Sequence, residues 1–183
     1  MVNWPVLGTL SAVPALDRPD LLGKPVLTAL EALDPADAAL VGVAEIDPDL
    51  ADTAAFCEAY GSPLDGSANC VVVAGRRGEE TRYAACLVLA TTRADVNGLV
   101  RKRLNARKAS FAPMDDAVSL AGMEYGGITP VGLPDDWPIL VDAAVAAADA
   151  VVIGSGIRGS KLALPGSLAA RLVNAEVVEG LGR

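Results

Sequence analysis

The residues best placed to do chemistry sit in and around a glycine-rich loop, Gly126-Gly127-Ile128-Thr129-Pro130-Val131-Gly132, introduced by Met123-Glu124-Tyr125. Paired glycines permit positive φ and let a ligand approach the main chain with no Cβ in the way. Pro130 fixes φ, removes a donor and biases Thr129 toward an extended conformation. Freedom at one end and stiffness at the other can point successive amide N–H groups into one concavity. The same spacing also describes a tight helix-to-strand connection, and the loop alone does not choose between the two.

Four further features hold polar groups where they could act. Asn69 heads the apolar run Cys70-Val71-Val72-Val73, where it can fix a ligand by hydrogen bonding or serve only the preceding turn. Lys161 emerges from the turn Gly154-Ser155-Gly156-Ile157-Arg158-Gly159, and its ammonium can either snorkel to solvent or enter a pocket. Gly154-Ser155-Gly156 leads into a strand rather than a helix, so it is no dinucleotide fingerprint and reads equally as a hairpin turn. Arg101, Lys102, Arg103, Arg107 and Lys108 form a basic cluster that suits an RNA backbone or a solvated helix face. The pairs Asp115-Asp116 and Asp135-Asp136 have the character of caps and turns, not of a glycosidase or metal site.

The chain contains no histidine, which removes a Ser-His-Asp triad, a Cys-His pair, a histidine general base and histidine-ligated zinc. Cys57, Cys70 and Cys86 lack metal-ligand spacing and are expected as small apolar residues in a reducing compartment. Neither a metal nor another cofactor is expected. Residues 1–68 hold 11 acids and 2 bases, and residues 69–183 hold 12 acids and 13 bases. That balance argues against a general nucleic-acid coat and against DNA, while leaving room for a local basic patch. Asp142 and Asp149 interrupt the apolar stretches well short of the roughly 20 residues of a membrane span. The opening Met1-Val2-Asn3-Trp4-Pro5 lacks a signal-peptide layout, so a cytoplasmic location is expected.

These groups need a scaffold. Apolar residues make up 52% of the chain but aromatics only 4%, which implies an Ala/Val/Leu core with few large anchors. Residues 1–25 are Pro-rich and weakly periodic, an irregular arm packed by Trp4, Leu7, Leu10 and Leu16. Helices are expected near 26–33, 50–60, 96–104, 115–121, 143–148 and 167–172. Strands are expected near 39–46, 69–74, 82–90, 107–111, 138–142, 151–153, 161–164 and 175–178. Gly75-Arg76-Arg77-Gly78 would turn a hairpin, and Thr92 would cap the basic helix with Asp95 at its capping-box position. No internal repeat or linker interrupts the pattern. One α/β (α+β) domain with a mixed sheet follows.

The order of these features carries more than any one of them. A polar residue heads a buried Val-rich strand, then come a hairpin, a basic helix, Gly-Gly-Ile-Thr-Pro-Val-Gly, a strand ending Val141-Asp142 and a Gly-rich hairpin. This resembles the YbaK/prolyl-tRNA-synthetase-associated domain family of trans-editing aminoacyl-tRNA deacylases. The likeness covers roughly residues 45–180, and the Gly-Gly-x-Thr/Ser-Pro-x-Gly loop is its most specific motif. It implies a compact domain with a mixed, partly barrel-like sheet flanked by helices, spanning 45–183, with 1–44 as an extension packed on it. The implied activity is hydrolysis of a wrong amino acid from tRNA, typically Ala or Cys on tRNA(Pro), with the tRNA acceptor end and an aminoacyl-tRNA synthetase as partners. The alternative is an inactive relative that binds a tRNA end, a small molecule or a synthetase.

By the same resemblance the catalytic positions would be Asn69, Lys161, Gly126, Gly127 and Thr129. Ile128, Pro130, Gly154, Ser155 and Gly156 would shape the substrate pocket, and Arg101, Lys102 and Arg103 would touch the tRNA backbone. The family usually carries lysine where this chain has Asn69, often an acid where it has Lys161, and a polar residue where it has Gly154. Lys161 would then supply the displaced positive charge from across the pocket. Such chemistry suits a chain without histidine, because an aminoacyl ester is already activated and needs an oriented water and oxyanion donors.

Overall fold

The Val-rich run lies in one of the two longest strands of the structure, a computed structural model that describes residues 4–183. Met1-Val2-Asn3, with which the reading of the N-terminus began, lies outside the described residues. Strand β3 (Ala68–Arg77) pairs antiparallel with β4 (Glu80–Leu89) through a turn at Gly78, whose φ of +64° lies in the left-handed region that favours glycine. The turn thus lies later than the Gly75–Gly78 position expected. Gly75 stays in the strand opposite Arg82, because Leu104 and Ala106 pack where its side chain would be.

Around this hairpin the chain builds two sheets. The first has the order β1 (Val13–Pro14), β2 (Gly42–Glu45), β8 (Ser160–Leu164) and β7 (Val151–Gly154), all antiparallel. The second has the order β5 (Lys108–Phe111), β3, β4, β6 (Ile139–Asp142) and β9 (Ala175–Val178). Its β4–β6 and β6–β9 pairs are parallel, which makes the sheet mixed as expected. The sheets are joined by a bridge between Ser67 and Val152 and do not close into a barrel. Two open sheets replace the partly barrel-like arrangement.

Alternation along the strands sorts side chains into layers. On β8, Leu162 and Leu164 enter the core between the sheets, where they meet Val43, Ile153, Ala85, Leu87 and Val141. Helix α1 (Lys24–Glu31), begun by Pro25, adds Val26 and Leu30 to that core. The short helix α2 (Pro35–Ala38) follows, and helices α6 (Ala143–Ala146) and α7 (Gly166–Ala169) add Val145, Leu168 and Ala169 to the core. The intervening positions of β8, Lys161 and Ala163, face the opposite way. Ala163 packs there with Trp4, Leu7, Ala44 and Phe56, the last on helix α3 (Thr53–Tyr60).

The far face of the second sheet is covered by a π-helical turn, Val96–Val100, that runs into helix α4 (Arg101–Arg103) and packs Val96, Val100 and Leu104 on Val73, Cys86 and Leu140. Its cap is Asp95, whose carboxylate accepts from the N–H groups of Gly98 and Leu99 at 3.1 Å. Thr92 instead donates to the Leu89 carbonyl. Helix α5 (Met114–Ala121) ends at Gly122 and leads into the glycine-rich loop. Among the described residues no helix is long and apolar enough to cross a membrane.

Candidate functional site

The seam between the two sheets opens into a cavity of about 270 Å³. Its walls are the N-terminus of α3, the first residues of β3, the ends of β7 and β8, and the glycine-rich loop. Asn69, Lys161, Gly126, Ile128 and Gly154 all line it, as do Asp52, Thr53, Phe56, Cys70 and Tyr125. The topology explains the meeting. Lys161 stands opposite Gly154 in the β7–β8 ladder, and the Ser67–Val152 bridge brings the head of β3 to the same end of β7.

Lys161 is only 6% exposed. Its Nζ donates to the Ala51 carbonyl at 2.6 Å and lies 5.6 Å from the centroid of the Phe56 ring. Burial lowers the ammonium's pKa to about 8, against the attraction of Asp52. The group therefore enters the cavity rather than reaching solvent, and near neutral pH it is still mostly charged. The Oδ1 of Asn69 accepts from the Thr53 hydroxyl at 2.7 Å, and among the described residues its amide nitrogen donates to nothing. Cys70 also lines the cavity, but burial raises its thiol pKa well above the ordinary value, and Cys86 behind it is pushed up to about 12. Neither is a thiolate nucleophile at neutral pH.

The loop begins as a turn in which the Gly127 N–H donates to the Glu124 carbonyl at 2.9 Å, with Gly126 at φ +80°. That combination is the signature of a type II turn, which requires glycine at its third position. Gly127 and Gly154 are glycines for another reason. A Cβ on Gly127 would sit 2.7 Å from the Ile157 backbone, and one on Gly154 would sit 2.6 Å from the Gly127 carbonyl. The loop and the β7–β8 turn share one contact surface, sealed by the Gly156 N–H donating to the Gly127 carbonyl at 2.7 Å. The N–H groups of Gly126 and Ile128 have no acceptor among the described residues.

The remaining loop and turn residues lie elsewhere. Thr129 is fully buried, its hydroxyl unpartnered among the described residues, and it lines neither this cavity nor the second one. Pro130 lines that second, apolar cavity of about 560 Å³, between α1 and the 130–135 segment. The Ser155 hydroxyl donates within its own turn and lies 2.6 Å from Ser160 Oγ. Gly156 packs against Gly23. Arg101 and Arg103 are engaged locally, by the Asn97 carbonyl and by Glu176.

Arg158, Glu124 and Tyr125 carry a role that spacing did not reveal. The Arg158 guanidinium donates to the Pro48 carbonyl at 2.9 Å and to the Tyr125 carbonyl at 3.2 Å. The Arg158 backbone N–H donates to the Glu124 carboxylate at 2.7 Å, and the guanidinium lies over the Tyr125 ring. The β7–β8 turn is thereby tied to Pro48 and to the Tyr125 side of the cavity. The one available signal was the placement of Glu124-Tyr125 immediately before the paired glycines.

Comparison with known proteins agrees with this architecture. Residues 47–172 match the model of the aminoacyl-tRNA editing domain family. No curated protein matches the chain. A solved structure described as a candidate trans-editing enzyme for prolyl tRNA synthetase superposes with a TM-score of 0.69 at 19% identity, over 86% of this chain and 94% of that one. Hypothetical protein APE2540 gives 0.71 at 18% identity, over 85% and 99%. A candidate signal transduction protein from Marinobacter aquaeolei VT8 gives 0.56 at 18% identity, over 85% of this chain but 30% of that one. At such identities a structural likeness carries the fold alone, whereas the family match spans more than half of the sequence. The chain belongs to the aminoacyl-tRNA editing domain family.

Proposed function

We propose that the protein deacylates mischarged tRNA, holding the aminoacyl ester in the cavity at the sheet seam. The observation that carries this reading is the convergence of a buried ammonium, Lys161, and a free amide, Asn69, on one cavity walled by loop backbone. In the reaction a water oxygen attacks the ester carbonyl carbon, and negative charge develops on the carbonyl oxygen. Collapse breaks the bond to the ribose oxygen, which takes the proton that the water loses. The products are a free amino acid and a tRNA with an intact 3′ end.

No side chain has to serve as a strong base, because the ester is activated and the ribose hydroxyl lies beside it. The protein's contribution is orientation and charge stabilisation, which act most strongly where water is excluded. The unengaged N–H groups of Gly126 and Ile128 are the donors assigned to the oxyanion. Lys161 supplies a fixed positive charge, and Asn69 with Thr53 orients the substrate. The tRNA acceptor end is the partner, with Arg101, Lys102 and Arg103 as secondary contacts to its backbone. The resemblance to prolyl-type editing domains makes tRNA(Pro) charged with Ala or Cys the first substrates to test.

The test is release of amino acid from a panel of mischarged tRNAs, tRNA(Pro) included, by wild type and Lys161→Ala. Turnover above the spontaneous rate that drops in Lys161→Ala supports the reading. No turnover across the panel, with tRNA still bound, would make the protein a binding module.

A further inference from the structure

The geometry points to an acyl group ending in a carboxylate, an aspartyl or glutamyl ester, as the one this cavity holds best. This refinement rests on the deacylase reading. An ammonium carries three N–H donors. That of Lys161 uses one, on the Ala51 carbonyl, and forms no ion pair among the described residues. A buried charge left so incompletely matched is costly unless something else supplies acceptors.

Among the described residues the protein supplies them only in part: solvent-exposed Asp52 attracts the ammonium without forming an ion pair with it. The Asn69 carbonyl already accepts from Thr53, while both of its amide N–H donors are unengaged among the described residues. The neighbouring cation, Arg158, is committed to the Pro48 and Tyr125 carbonyls and adds positive charge. Around Lys161 and Asn69 the cavity thus offers several unengaged donors, and its one carboxylate among the described residues, Asp52, is exposed to solvent. A carboxylate on the acyl group matches these donors, with one oxygen for Lys161 Nζ and one for Asn69 Nδ2, in charge-assisted hydrogen bonds.

The rest of the cavity fits an amino acid in that orientation. Its 270 Å³ is the space of roughly nine waters, enough for a dicarboxylic acyl group. The substrate's α-ammonium is repelled by Lys161 and attracted by Asp52, which lines the cavity and is exposed to solvent. A tRNA phosphate, carried on a polymer backbone, stays at the mouth and cannot reach a lysine this buried. The acyl side chain can. An alanyl group would leave both donors without acceptors, and a site built for a hydrogen bond rejects analogues that lack it.

The experiment compares deacylation of one tRNA charged in turn with Asp, Glu, Ala and Cys, so that only the acyl group varies. The expected result is kcat/KM for an acidic acyl group at least about tenfold above that for Ala. Lys161→Met and Asn69→Leu should each collapse that ratio toward one. Two variants are used so that a folding defect in one does not decide the outcome. Equal or faster removal of Ala or Cys by wild type overturns the acyl assignment and leaves the deacylase reading standing. So does an acidic preference that survives in both variants. No turnover of any of the four overturns both.

Discussion

Replacing Lys161 with methionine removes a charge while keeping most of the side-chain volume, and the structure fixes the expected effect on stability. Burial lowers the ammonium's pKa from 10.5 to about 8. Each pKa unit corresponds to about 1.4 kcal/mol, so holding the proton in the folded state costs about 3 kcal/mol near neutral pH. The folded value lies below the unfolded one. Between pH 8 and 10.5 the unfolded chain therefore binds one more proton, and wild-type stability rises with pH across that window. Below pH 8 both states are protonated, and the whole cost is present.

Lys161→Met should thus be more stable than wild type near pH 7 by up to about 3 kcal/mol, less what is lost with the Ala51 hydrogen bond. The advantage should shrink steadily through pH 8 to 10.5. Urea unfolding of both proteins across this range measures it, and every other titrating group cancels in the difference. Parallel stability curves would refute the argument, because they would mean that the Lys161 ammonium is as well solvated in the fold as out of it. A gain in stability joined to a loss of turnover is the pattern expected of a strained functional group.

Further outcomes follow from the same geometry. Gly127→Ala and Gly154→Ala each push a Cβ into backbone that cannot yield, and each should lower stability by about 1–3 kcal/mol and cut deacylation, read by thermal unfolding and initial rates. Arg158→Met releases the turn from Pro48 and Tyr125; kcat/KM should fall about tenfold with a smaller change in Tm, since a misplaced wall misorients the ester. Activity relative to spontaneous hydrolysis should fall as pH rises through about 8, where Lys161 loses its charge, and this decline should be absent in Lys161→Met. Reversing the charge of Arg101 and Lys102 together should raise KM for tRNA, more at low salt than at high.

Much of this was legible in the sequence. The Val-rich run, the apolar blocks around 139–142 and 151–164, and the small-residue helices all gave their elements through periodicity and composition. Boundaries slipped where a local competitor outranked the pattern. Gly75 looked like a turn residue, yet it is glycine because Leu104 and Ala106 press on the strand there. Thr92 looked like a cap, yet Asp95 sits where its two carboxylate oxygens meet two free N–H groups. The division into two open sheets was not legible, because it depends on how β2 finds β8 across more than a hundred residues. Asn69 and Lys161 could be named from their places at strand ends. Thr53, Asp52 and Phe56 could not, since α3 reaches the cavity only through the packing of the first sheet.

The glycine-rich loop gains a different meaning once its contacts are known. Read from the sequence, paired glycines are an invitation to a ligand. In the fold, the space beside Gly127 is filled by Ile157, and that beside Gly154 by the Gly127 and Ile128 carbonyls. These glycines let two turns share backbone, and the sharing sets the position of everything nearby. It fixes Gly154, hence the β7–β8 register, hence Lys161, its cross-strand partner. Of the Gly126–Gly127 pair, Gly126 borders the cavity, with the positive φ that turns its peptide. The motif therefore acts mainly as a brace that holds a cation and two amides around one cavity. A substitution that swells the brace should displace Lys161 before it blocks the substrate. Gly154→Ala should accordingly change the pH at which activity falls, and a purely steric block would lower the rate at every pH alike.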